Sequence, residues 1–459
     1  MAGTGTSKER VHFIAIGGAV MHNLAIALHQ KGCLVTGSDD EIFEPAASRL
    51  ASYGLLPPQK GWFPEKITPE TGRVILGMHA REDNAELQRA RELGITINSF
   101  PEYLYEQTRN KRRIVVGGSH GKTTTTAMIM HVLKYNGIKF DYMVGSAIGG
   151  YNTMVSLDSD SEIAVFEGDE YLSSALDRRP KFHLYHPDIA IINGIAWDHM
   201  NVFPTREDYL SQFSTFAGLI TRGGSLACYD GDPNAVAIAE NARRDITKIL
   251  YGVHPYIIRS DGWYALYGDS TVKVPFFGNH NFQNLSAARE ACLAAGLAPD
   301  QFYAAIPTFP GTARRLQKLC SDENSVVFLD FAHAPSKVRA TIEAVAAAYS
   351  GWNIAAVLEL HTYSSLNAGF IGQYDGTMDA AGKAYVYFNP HALEIKKLPA
   401  ITCNDVVLAF NHNNLFVTSN SGELKKALAA ASAGAKKTVW LFMSSGDFDC
   451  LDIKNLIKT

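Results

Sequence analysis

The sequence predicts an α/β protein of three domains, because strand-like and helix-like segments alternate in three successive blocks of the 459-residue chain. A chain of this length exceeds what a single hydrophobic core usually supports, so two or three domains are expected. The middle block also carries a glycine-rich segment between a strand and a helix, which is typical of a P-loop ATPase-like domain. The blocks before and after it are predicted to be Rossmann-like.

The first block, residues 1–109, begins like a doubly wound nucleotide-binding domain. An apolar strand is predicted over 10–16, a helix over 21–31 and a second strand over 34–37. The block ends at the charged run 109–113, which we interpret as a linker to the second domain.

The second and third blocks continue the alternation of strands and helices. In the second block, residues 110–310, the predicted elements are a strand at 114–116, a helix to residue 135, strands at 162–166 and 189–193, inserted β-hairpins within 251–277 and a helix at 284–295. In the third block, residues 311–459, they are strands at 326–331, 353–358, 384–388, 415–418 and 438–443 and a helix at 336–348.

The composition restricts the class of protein. Hydrophobic residues make up 46% and charged residues 19% of the chain, which is typical of a globular protein without extensive disorder. A net charge of −4 offers no basic surface for a nucleic acid, and no apolar run reaches the ~18 residues that a membrane span requires. The six cysteines lack metal-ligand spacing and are predicted to be buried free thiols, so we expect a reduced, cytoplasmic enzyme.

The segment VVGGSHGKTTTTA, residues 115–127, has the features of a phosphate-binding loop. Glycines let the backbone approach phosphate oxygens, and the following helix directs its N–H groups at the anion. Lys122 would supply a charge to the terminal phosphates, and Thr123 a hydroxyl to Mg²⁺. Val116 replaces the first glycine of the strict pattern, but the position between strand and helix argues against a chance glycine-rich turn.

Acidic and histidine side chains follow two later strands. Glu167, Asp169 and Glu170 come directly after one predicted strand, and Asp198-His199 after the next. Carboxylates at the carboxyl end of a parallel strand, beside a phosphate loop, can hold a metal that bridges ATP oxygens. Taken alone, the Asp-His pair would be ordinary surface polarity; together the two groups predict a shared Mg²⁺ site.

Three further positions have a functional and a structural interpretation. Asn281 and Asn284 would contact adenine or simply cap a helix. Arg315 lies at the second domain boundary, where it would reach a transferring phosphoryl group or belong to a solvated linker. Asp330, with His333 three residues later, follows the first strand of the third block.

Taken together, these residues resemble the Mur ligase family over essentially the whole chain. The family's Gly-Thr-x-Gly-Lys-Thr motif corresponds to residues 118–123, and its other signature positions match Glu167, His199, Asn281, Asn284, Arg315 and Asp330. The resemblance implies catalytic roles for Lys122, Glu167, His199 and Arg315, and Mg²⁺ binding by Thr123, Glu167 and His199. It implies that ATP is bound by Gly118, Ser119, His120, Gly121, Lys122, Thr123, Thr124, Asn281, Asn284, Arg315 and Asp330.

The resemblance also assigns a ligand to each domain. The first domain would bind a UDP-sugar, the second ATP and the third the incoming amino compound. The residues expected at the UDP-sugar are Gly17, Gly18, Ser38, Asp39 and His79. Those expected at the acceptor are His333, His361, Ser364 and Asn367; the last three lie in a loop after a predicted strand, where an ordinary polar loop is the alternative. ATP and Mg²⁺ are the implied cofactors, and the resemblance leaves the oligomeric state open.

The residue at position 213 limits which branches of the family this chain can resemble. Many Mur ligases carry a carbamylated lysine where this chain has Phe213, and no lysine occurs between Lys181 and Lys248. This resemblance favours the two branches that accept UDP-N-acetylmuramate itself as the carboxylate donor. One adds L-alanine; the other, the murein peptide ligases, adds L-alanyl-γ-D-glutamyl-meso-diaminopimelate.

The murein peptide branch is the expected one. The spacing between Glu167 and Phe182 is long, Val20 stands where the alanine-adding branch has a glycine, and the loop 358–367 differs from that branch's loop. The L-alanine ligase is the first alternative. A non-catalytic nucleotide-binding regulator on the same scaffold is the second. A dehydrogenase is disfavoured, because it would leave the phosphate loop unexplained.

Overall fold

The computed structural model describes residues 8–78, 80–197, 202–433 and 437–457. It contains three large β-sheets with helices packed against them and one small antiparallel sheet, and each large sheet belongs to a separate part of the sequence. This is the three-domain α/β architecture that the sequence predicts. Within the part of the chain that the structure describes, no helix combines the length and the apolar character needed to cross a membrane.

The first domain is a four-stranded parallel sheet in the order β2-β1-β3-β4. Its elements are β1 (Arg10–Ile14), α1 (Ala19–Gln30), β2 (Leu34–Ser38), α2 (Ala46–Ser52), β3 (Arg73–Leu76), α3 (Ala85–Glu92), β4 (Thr96–Ser99) and α4 (Phe100–Thr108). Strand and helix alternate strictly, as expected of a Rossmann-like domain.

The middle domain has a seven-stranded sheet in the order β11-β10-β9-β5-β8-β6-β7, in which only the β6–β7 pair is antiparallel. Its elements are β5 (Arg112–Gly117), α5 (Lys122–Tyr135), β6 (Phe140–Met143), β7 (Val155–Ser156), β8 (Ile163–Glu167), β9 (Ile189–Ile192), α6 (Arg206–Gly218), β10 (Ser225–Tyr229), α7 (Pro233–Asn241), β11 (Thr247–Tyr251), β12 (Tyr256–Arg259), β13 (Gly262–Tyr267), β14 (Ser270–Val274), α8 (Asn279–Ala294) and α9 (Pro299–Ala305). The predicted hairpins are the antiparallel sheet β12-β13-β14.

The third domain has a six-stranded sheet in the order β15-β16-β20-β17-β18-β19, parallel except at β15. Its elements are β15 (Gln317–Ser321), β16 (Ser325–Asp330), α10 (Pro335–Ala348), β17 (Asn353–Leu360), β18 (Lys383–Phe388), α11 (Pro390–Ile395), α12 (Cys403–Phe410), β19 (Leu415–Thr418), α13 (Ser421–Ser432), β20 (Thr438–Met443) and α14 (Ile453–Leu456). The polar edge strand β15 lacks apolar alternation, which is why the sequence analysis missed it.

The central strands of the middle sheet determine where the functional side chains meet. All five residues of β8 and all four of β9 are buried, because helices cover both faces of a parallel sheet. In the register of the sheet, Val116 of β5 lies beside Glu167 of β8 and Ile191 of β9. The phosphate loop, the acidic segment and the chain after β9 therefore leave the sheet at one edge.

Two predicted boundaries differ from the structure. The linker is shorter than the charged run 109–113, because Arg112 and Arg113 already belong to β5. The Arg113 guanidinium is buried and donates hydrogen bonds to Thr108 O and His186 O, both at 2.9 Å, so its charge does not mark a solvated segment. Helix α8 begins at Asn279, five residues before the predicted start at 284, because Gly278 precedes it with a φ of +88°.

A buried contact between a histidine and a glutamate stabilises the first domain. His12 Nε2 of β1 lies 3.2 Å from Glu86 Oε2 of α3, and neither side chain is exposed. His12 Nδ1 lies 2.8 Å from the Thr36 hydroxyl of β2, and Glu86 Oε1 accepts the Phe63 N–H at 2.7 Å. These contacts join two strands, a helix and a loop of the domain through one buried carboxylate.

We predict that Glu86→Ala destabilises the first domain by ~3–5 kcal/mol, because it leaves His12 and the Phe63 N–H without their buried acceptor. Hydrogen exchange of the β1 amides measures the loss locally. The control is Glu82→Ala, which removes the exposed Arg91–Glu82 pair and should cost ~0–1 kcal/mol. Equal effects of the two substitutions would contradict the prediction.

The same carboxylate makes the stability of the domain depend on pH. Burial raises the pKa of Glu86, but the hydrogen bond and charge of His12 outweigh it, so the pKa lies below its ordinary value. The stabilisation is therefore fully present above the unfolded-state pKa and is lost as the pH falls through the lower folded-state pKa. Hydrogen exchange of the β1 amides should show this acid-side loss in the wild type and not in Glu86→Ala.

Candidate active site

A cavity of about 420 Å³ opens at the carboxyl edge of the middle sheet, and all three domains line it. The first domain contributes Val20 and Phe100. The middle domain contributes the phosphate loop and the acidic segment after β8, and the third domain contributes Arg315 and Asp330. The residues predicted to bind ATP thus surround one space, with Gly118 directly before the lining segment.

The phosphate loop can adopt its conformation only with glycine at two positions. Gly118 has a φ of +120° and Gly121 a φ of +68°, in the region that side chains with a Cβ disfavour. A Cβ on Gly118 would lie 2.7 Å from Asn193 N, and one on Gly121 would lie 1.9 Å from Asn284 Oδ1. The loop therefore packs directly against the chain after β9 and against helix α8.

Lys122 is held in the cavity by an ion pair. Its Nζ donates to Glu170 Oε2 at 2.7 Å and to Gly118 O at 2.8 Å. Burial lowers the pKa of Lys122, but the charges of Glu170 and Asp169 outweigh it and raise the pKa above its ordinary value. Glu170 is itself held by the Tyr209 hydroxyl, which donates to Oε1 at 3.0 Å. Lys122 is therefore held as a cation in the cavity, where the sequence analysis expects the terminal phosphates.

Thr123 and Glu167 meet where the sequence predicts a metal. The Thr123 hydroxyl donates to Glu167 Oε1 at 2.8 Å, and the Gly145 N–H donates to Oε2 at 2.7 Å. A hydroxyl and a carboxylate are the oxygen ligands that Mg²⁺ prefers, so the donor set fits. His199 lies outside the described residues, and among those described no three His, Cys, Asp or Glu side chains converge on a metal position.

Asn281 and Asn284 both line the cavity from the first turns of α8. Asn281 Nδ2 donates to Phe277 O at 2.9 Å, which is a local helix-terminal contact. Asn284 is buried, and its Oδ1 accepts the Thr125 hydroxyl of α5 at 3.3 Å. Asn284 thus supports the phosphate loop from behind, a structural role in addition to the predicted contact with ATP.

Arg315 of the third domain contacts the residue that directly follows Lys122 in the phosphate loop. Its Nη2 lies 3.5 Å from the Thr123 hydroxyl, and its guanidinium stacks 4.5 Å from the centre of the Phe331 ring. The backbone on either side is strained, since Arg314 and Leu316 have φ values of +55° and +46°. Asp330 holds this segment by accepting the Leu316 N–H at 2.6 Å.

The predicted acceptor residues do not gather in one place. His333 lines the main cavity, whereas His361, Ser364 and Asn367 lie outside it and outside the second cavity. Ser364 is buried, and Asn367 Oδ1 accepts the Gly369 N–H at 2.8 Å, so both stabilise their own loop. Acceptor binding by these three residues stays a prediction.

A second cavity of about 400 Å³ adjoins the first across His120. His120 Nε2 lies 3.0 Å from the Ser336 hydroxyl at the start of α10, and these two residues line both cavities. Trp197 lines the second cavity on the middle-domain side, and Arg339 and Glu343 of α10 line it on the other. The second cavity lies between the middle and third domains, and sequence analysis had not predicted it.

Four of the predicted UDP-sugar residues, Gly17, Gly18, Ser38 and Asp39, lie at the carboxyl edge of the first sheet. The Gly17 N–H donates to Asp39 Oδ2 at 2.7 Å, and a Cβ on Gly17 would meet that oxygen at 2.9 Å. Ser38 is buried and accepts a hydrogen bond from Lys66 Nζ at 3.1 Å. Gly18 directly precedes α1. His79 lies outside the described residues.

Several residues that line or support the cavity are not marked by any motif in the sequence. Glu170 stood in the acidic segment, but nothing singled it out as the partner of Lys122. Asn193 follows β9 at the functional edge, so its position after a parallel strand was the available signal. Tyr209 on α6 and Lys181 reach the cavity region only through the fold, and no local pattern marks them. Phe213 is fully buried against Phe182 and Tyr209 and does not line the cavity.

A glycine-dependent phosphate loop, a largely buried lysine and a hydroxyl–carboxylate pair define a nucleotide-dependent enzyme. Two family models match this chain: "Mur ligase family, catalytic domain" over residues 10–112 and "Mur ligase middle domain" over residues 116–292. The UDP-N-acetylmuramate–L-alanine ligase of Streptomyces avermitilis is 30% identical over 97% of this chain and 96% of its own length. The chain belongs to the Mur ligase family, and it is accordingly an ATP-dependent ligase that forms an amide bond and releases ADP.

Solved structures share the fold. A murein peptide ligase from Psychrobacter arcticus superimposes with a TM-score of 0.66 at 22% identity, covering 98% of this chain and 99% of that one. The UDP-N-acetylmuramate–alanine ligase of Thermotoga maritima superimposes with a TM-score of 0.70 at 21% identity, covering 96% of each chain. At these identities the likeness concerns the architecture, and both branches named in the sequence analysis have it.

We predict that Gly121→Ala lowers ADP release by at least ~100-fold, because the methyl group would lie 1.9 Å from Asn284 Oδ1 and displace the phosphate loop. ADP release is measured with saturating substrates. Gly137→Ala is the matched control: Gly137 has nearly the same φ, +70° against +68°, but open space around the added Cβ. It should cost ~1 kcal/mol of stability and leave turnover near that of the wild type. If both variants lose activity equally, backbone strain rather than close packing is responsible.

Proposed function

We propose that this ligase joins the lactyl carboxylate of UDP-N-acetylmuramate to the amine of the tripeptide L-alanyl-γ-D-glutamyl-meso-diaminopimelate. The choice of the tripeptide as acceptor is supported by the second cavity, which has a volume of about 400 Å³ and lies beside the phosphate loop. Pockets of ~300–1,000 Å³ suit ligands much larger than a single small amino acid. The choice of UDP-N-acetylmuramate as donor is supported by Phe213, a buried aromatic residue at the position where many family members have a modified lysine.

Each domain would then serve one ligand. Residues 1–109 bind the UDP-sugar, residues 110–310 bind ATP and residues 311–459 bind the acceptor. The supporting observation is that the main cavity is lined from all three sides, so the three reactants can meet there. Gly17 and Asp39 face the first ligand, Lys122 the second and His333 the third.

In the first step the carboxylate attacks the γ-phosphate of ATP, which forms an acyl phosphate and ADP. The two reacting groups are both anionic, so the reaction needs cations around them. Lys122 exchanges Glu170 for the phosphates, and its raised pKa keeps it charged. Arg315, already 3.5 Å from the Thr123 hydroxyl, approaches the same oxygens from the third domain.

Mg²⁺ would be held by Thr123 and Glu167, with His199 as the family's further position. When bound, it neutralises phosphate charge and orients the γ-phosphate. The Gly145 N–H, which donates to Glu167 at 2.7 Å, keeps one carboxylate oxygen fixed so that the other faces Thr123.

In the second step the acceptor amine attacks the acyl phosphate, and phosphate leaves from the tetrahedral intermediate. Water must be excluded, because it would hydrolyse the acyl phosphate. The contacts of Arg315 with the phosphate loop and of His120 with Ser336 hold the third domain against the middle one over the cavity. His199 and a water molecule are both candidates to accept the proton of the amine.

The second candidate is a UDP-N-acetylmuramate–L-alanine ligase. The observation in its favour is that relatives of this chain are named UDP-N-acetylmuramate–L-alanine ligases. One of them is 30% identical over nearly the whole chain. A non-catalytic regulator would be a third possibility, but Lys122, Thr123 and Glu167 are all present and in contact distance of their partners. Turnover by the wild type separates an enzyme from a regulator, and its preference between the tripeptide and L-alanine separates the two enzymes.

We predict that Lys122→Ala lowers substrate-dependent ADP release by at least ~10²–10³-fold, because the terminal phosphates lose their buried cation. A coupled assay of ADP release in the presence of UDP-N-acetylmuramate and the tripeptide measures this. Lys134→Ala, an exposed lysine in the last turn of the same helix, is the control and should keep wild-type turnover. Near-normal turnover of Lys122→Ala would overturn the assignment of the loop.

We predict that the wild-type enzyme has a kcat/KM for the tripeptide that exceeds that for L-alanine by at least ~10-fold, because L-alanine fills little of the second cavity. ADP release is compared with UDP-N-acetylmuramate and either acceptor. A preference for L-alanine would identify the second candidate instead. Absence of turnover with either acceptor, together with ATP binding, would favour the regulator.

A further inference from the structure

Lys181 lies in the wall of the main cavity, on the side of the first domain. Its side chain is 14% exposed and lines the same space as Lys122 and Thr123. Its Nζ is 5.8 Å from the ring centre of Phe100, which belongs to the first domain. Besides Lys122 and Arg315, the cavity therefore has a cation on the side of the first domain.

The chain builds this position through a hairpin-like loop after β8. The Lys181 N–H donates to Tyr171 O at 2.9 Å, and the Phe182 N–H donates to Asp169 O at 3.1 Å, so the loop closes at its base. Leu176, within the loop, packs against the apolar core of the first domain. The loop thus joins two domains, and its base presents Lys181 to the cavity.

The present partner of Lys181 is a carboxylate. Its Nζ donates to Asp169 Oδ2 at 2.5 Å, and Asp169 is 36% exposed. A carboxylate from a substrate can replace Asp169 without changing the charge that Lys181 has to balance.

A cation at this place meets a need of the first step. The attacking carboxylate and the γ-phosphate repel one another, and Lys122 is engaged at the phosphates. Phe213, at the family's modified-lysine position, is fully buried and offers no polar atom to the cavity. Lys181 lines the cavity on the side of the first domain, where it can bind the carboxylate while the phosphate loop binds ATP.

We propose that Lys181 binds the lactyl carboxylate of the sugar-nucleotide substrate, in exchange for Asp169, and so positions it for attack on the γ-phosphate. This inference rests on the proposed function, because it takes UDP-N-acetylmuramate as the donor. It assigns to the loop after β8 a role in recognising the donor's carboxylate as well as joining two domains.

The test uses two ligands that differ in this carboxylate. UDP-N-acetylglucosamine has the same uridine diphosphate and sugar as UDP-N-acetylmuramate but lacks the lactyl group. Calorimetry measures the binding of both ligands to the wild type and to Lys181→Met. We expect Lys181→Met to bind UDP-N-acetylmuramate about 10- to 100-fold more weakly, the size expected for a lost charge-assisted hydrogen bond, and to bind UDP-N-acetylglucosamine as the wild type does. The KM for ATP should not change.

Lys111→Met is the matched control. Lys111 is 13% exposed and paired with Asp141 at 2.7 Å in the same domain, but it does not line the cavity. Its substitution should leave the ratio of the two affinities unchanged. Asp169→Asn, which removes the competing carboxylate, should bind UDP-N-acetylmuramate at least as tightly as the wild type.

Several results would overturn the proposal. Equal weakening of both ligands by Lys181→Met would show a structural role, and unchanged binding of both would show none. If Lys181→Met does not fold, a loss of UDP-N-acetylmuramate binding in Asp169→Asn overturns the proposal, because Lys181 would then need Asp169 for its effect. If the wild type is active with UDP-N-acetylmuramate, such results leave the proposed function intact. If the wild type neither binds nor turns over UDP-N-acetylmuramate, the proposed function and this inference both fall.

Discussion

The site depends on the parallel pairing of β5 with β8 and β9. Parallel strands bring their carboxyl ends to one edge, so the phosphate loop, Glu167 and Asn193 leave the sheet side by side. The loop then has to pass within contact distance of Asn193 and Asn284, which only a residue without a Cβ permits at Gly118 and Gly121. Lys122, Glu170 and Glu167 lie beside this tightly packed loop.

Charge balance shapes the remainder of the cavity. Lys122 pairs with Glu170, Lys181 pairs with Asp169, and Glu167 accepts hydrogen bonds from Thr123 and Gly145. Buried charges are tolerated because each has an opposite partner or a directed hydrogen bond. The same pairing makes the cavity ready for anionic substrates, since a phosphate or a carboxylate can take the place of a side-chain carboxylate that a lysine already binds.

Features set by a local pattern in the sequence were predicted, whereas features set by contacts between distant residues were not. The strand and helix order followed from apolar patterns, and the positions of Lys122 and Thr123 followed from the glycine motif beside them. The predicted start of α8 was wrong because Gly278, with its positive φ, precedes a helix that begins at Asn279. The predicted length of the linker was wrong because Arg113 is buried and donates a hydrogen bond to His186 O, far away in the chain. Lys181 carried no local signal, since its place in the cavity follows from closure of a loop by backbone hydrogen bonds.

By itself, the sequence determined that this is a three-domain α/β protein with a phosphate loop, an acidic segment after β8 and an arginine at the second boundary, because each of these is a local pattern with its own physical meaning. The tertiary structure decided which of these groups touch: Lys122 with Glu170, Thr123 with Glu167 and Arg315 with the phosphate loop. It also decided that a second cavity adjoins the first across His120. Contacts between residues far apart in the chain depend on how strands register and domains pack, and no short stretch of sequence contains that information.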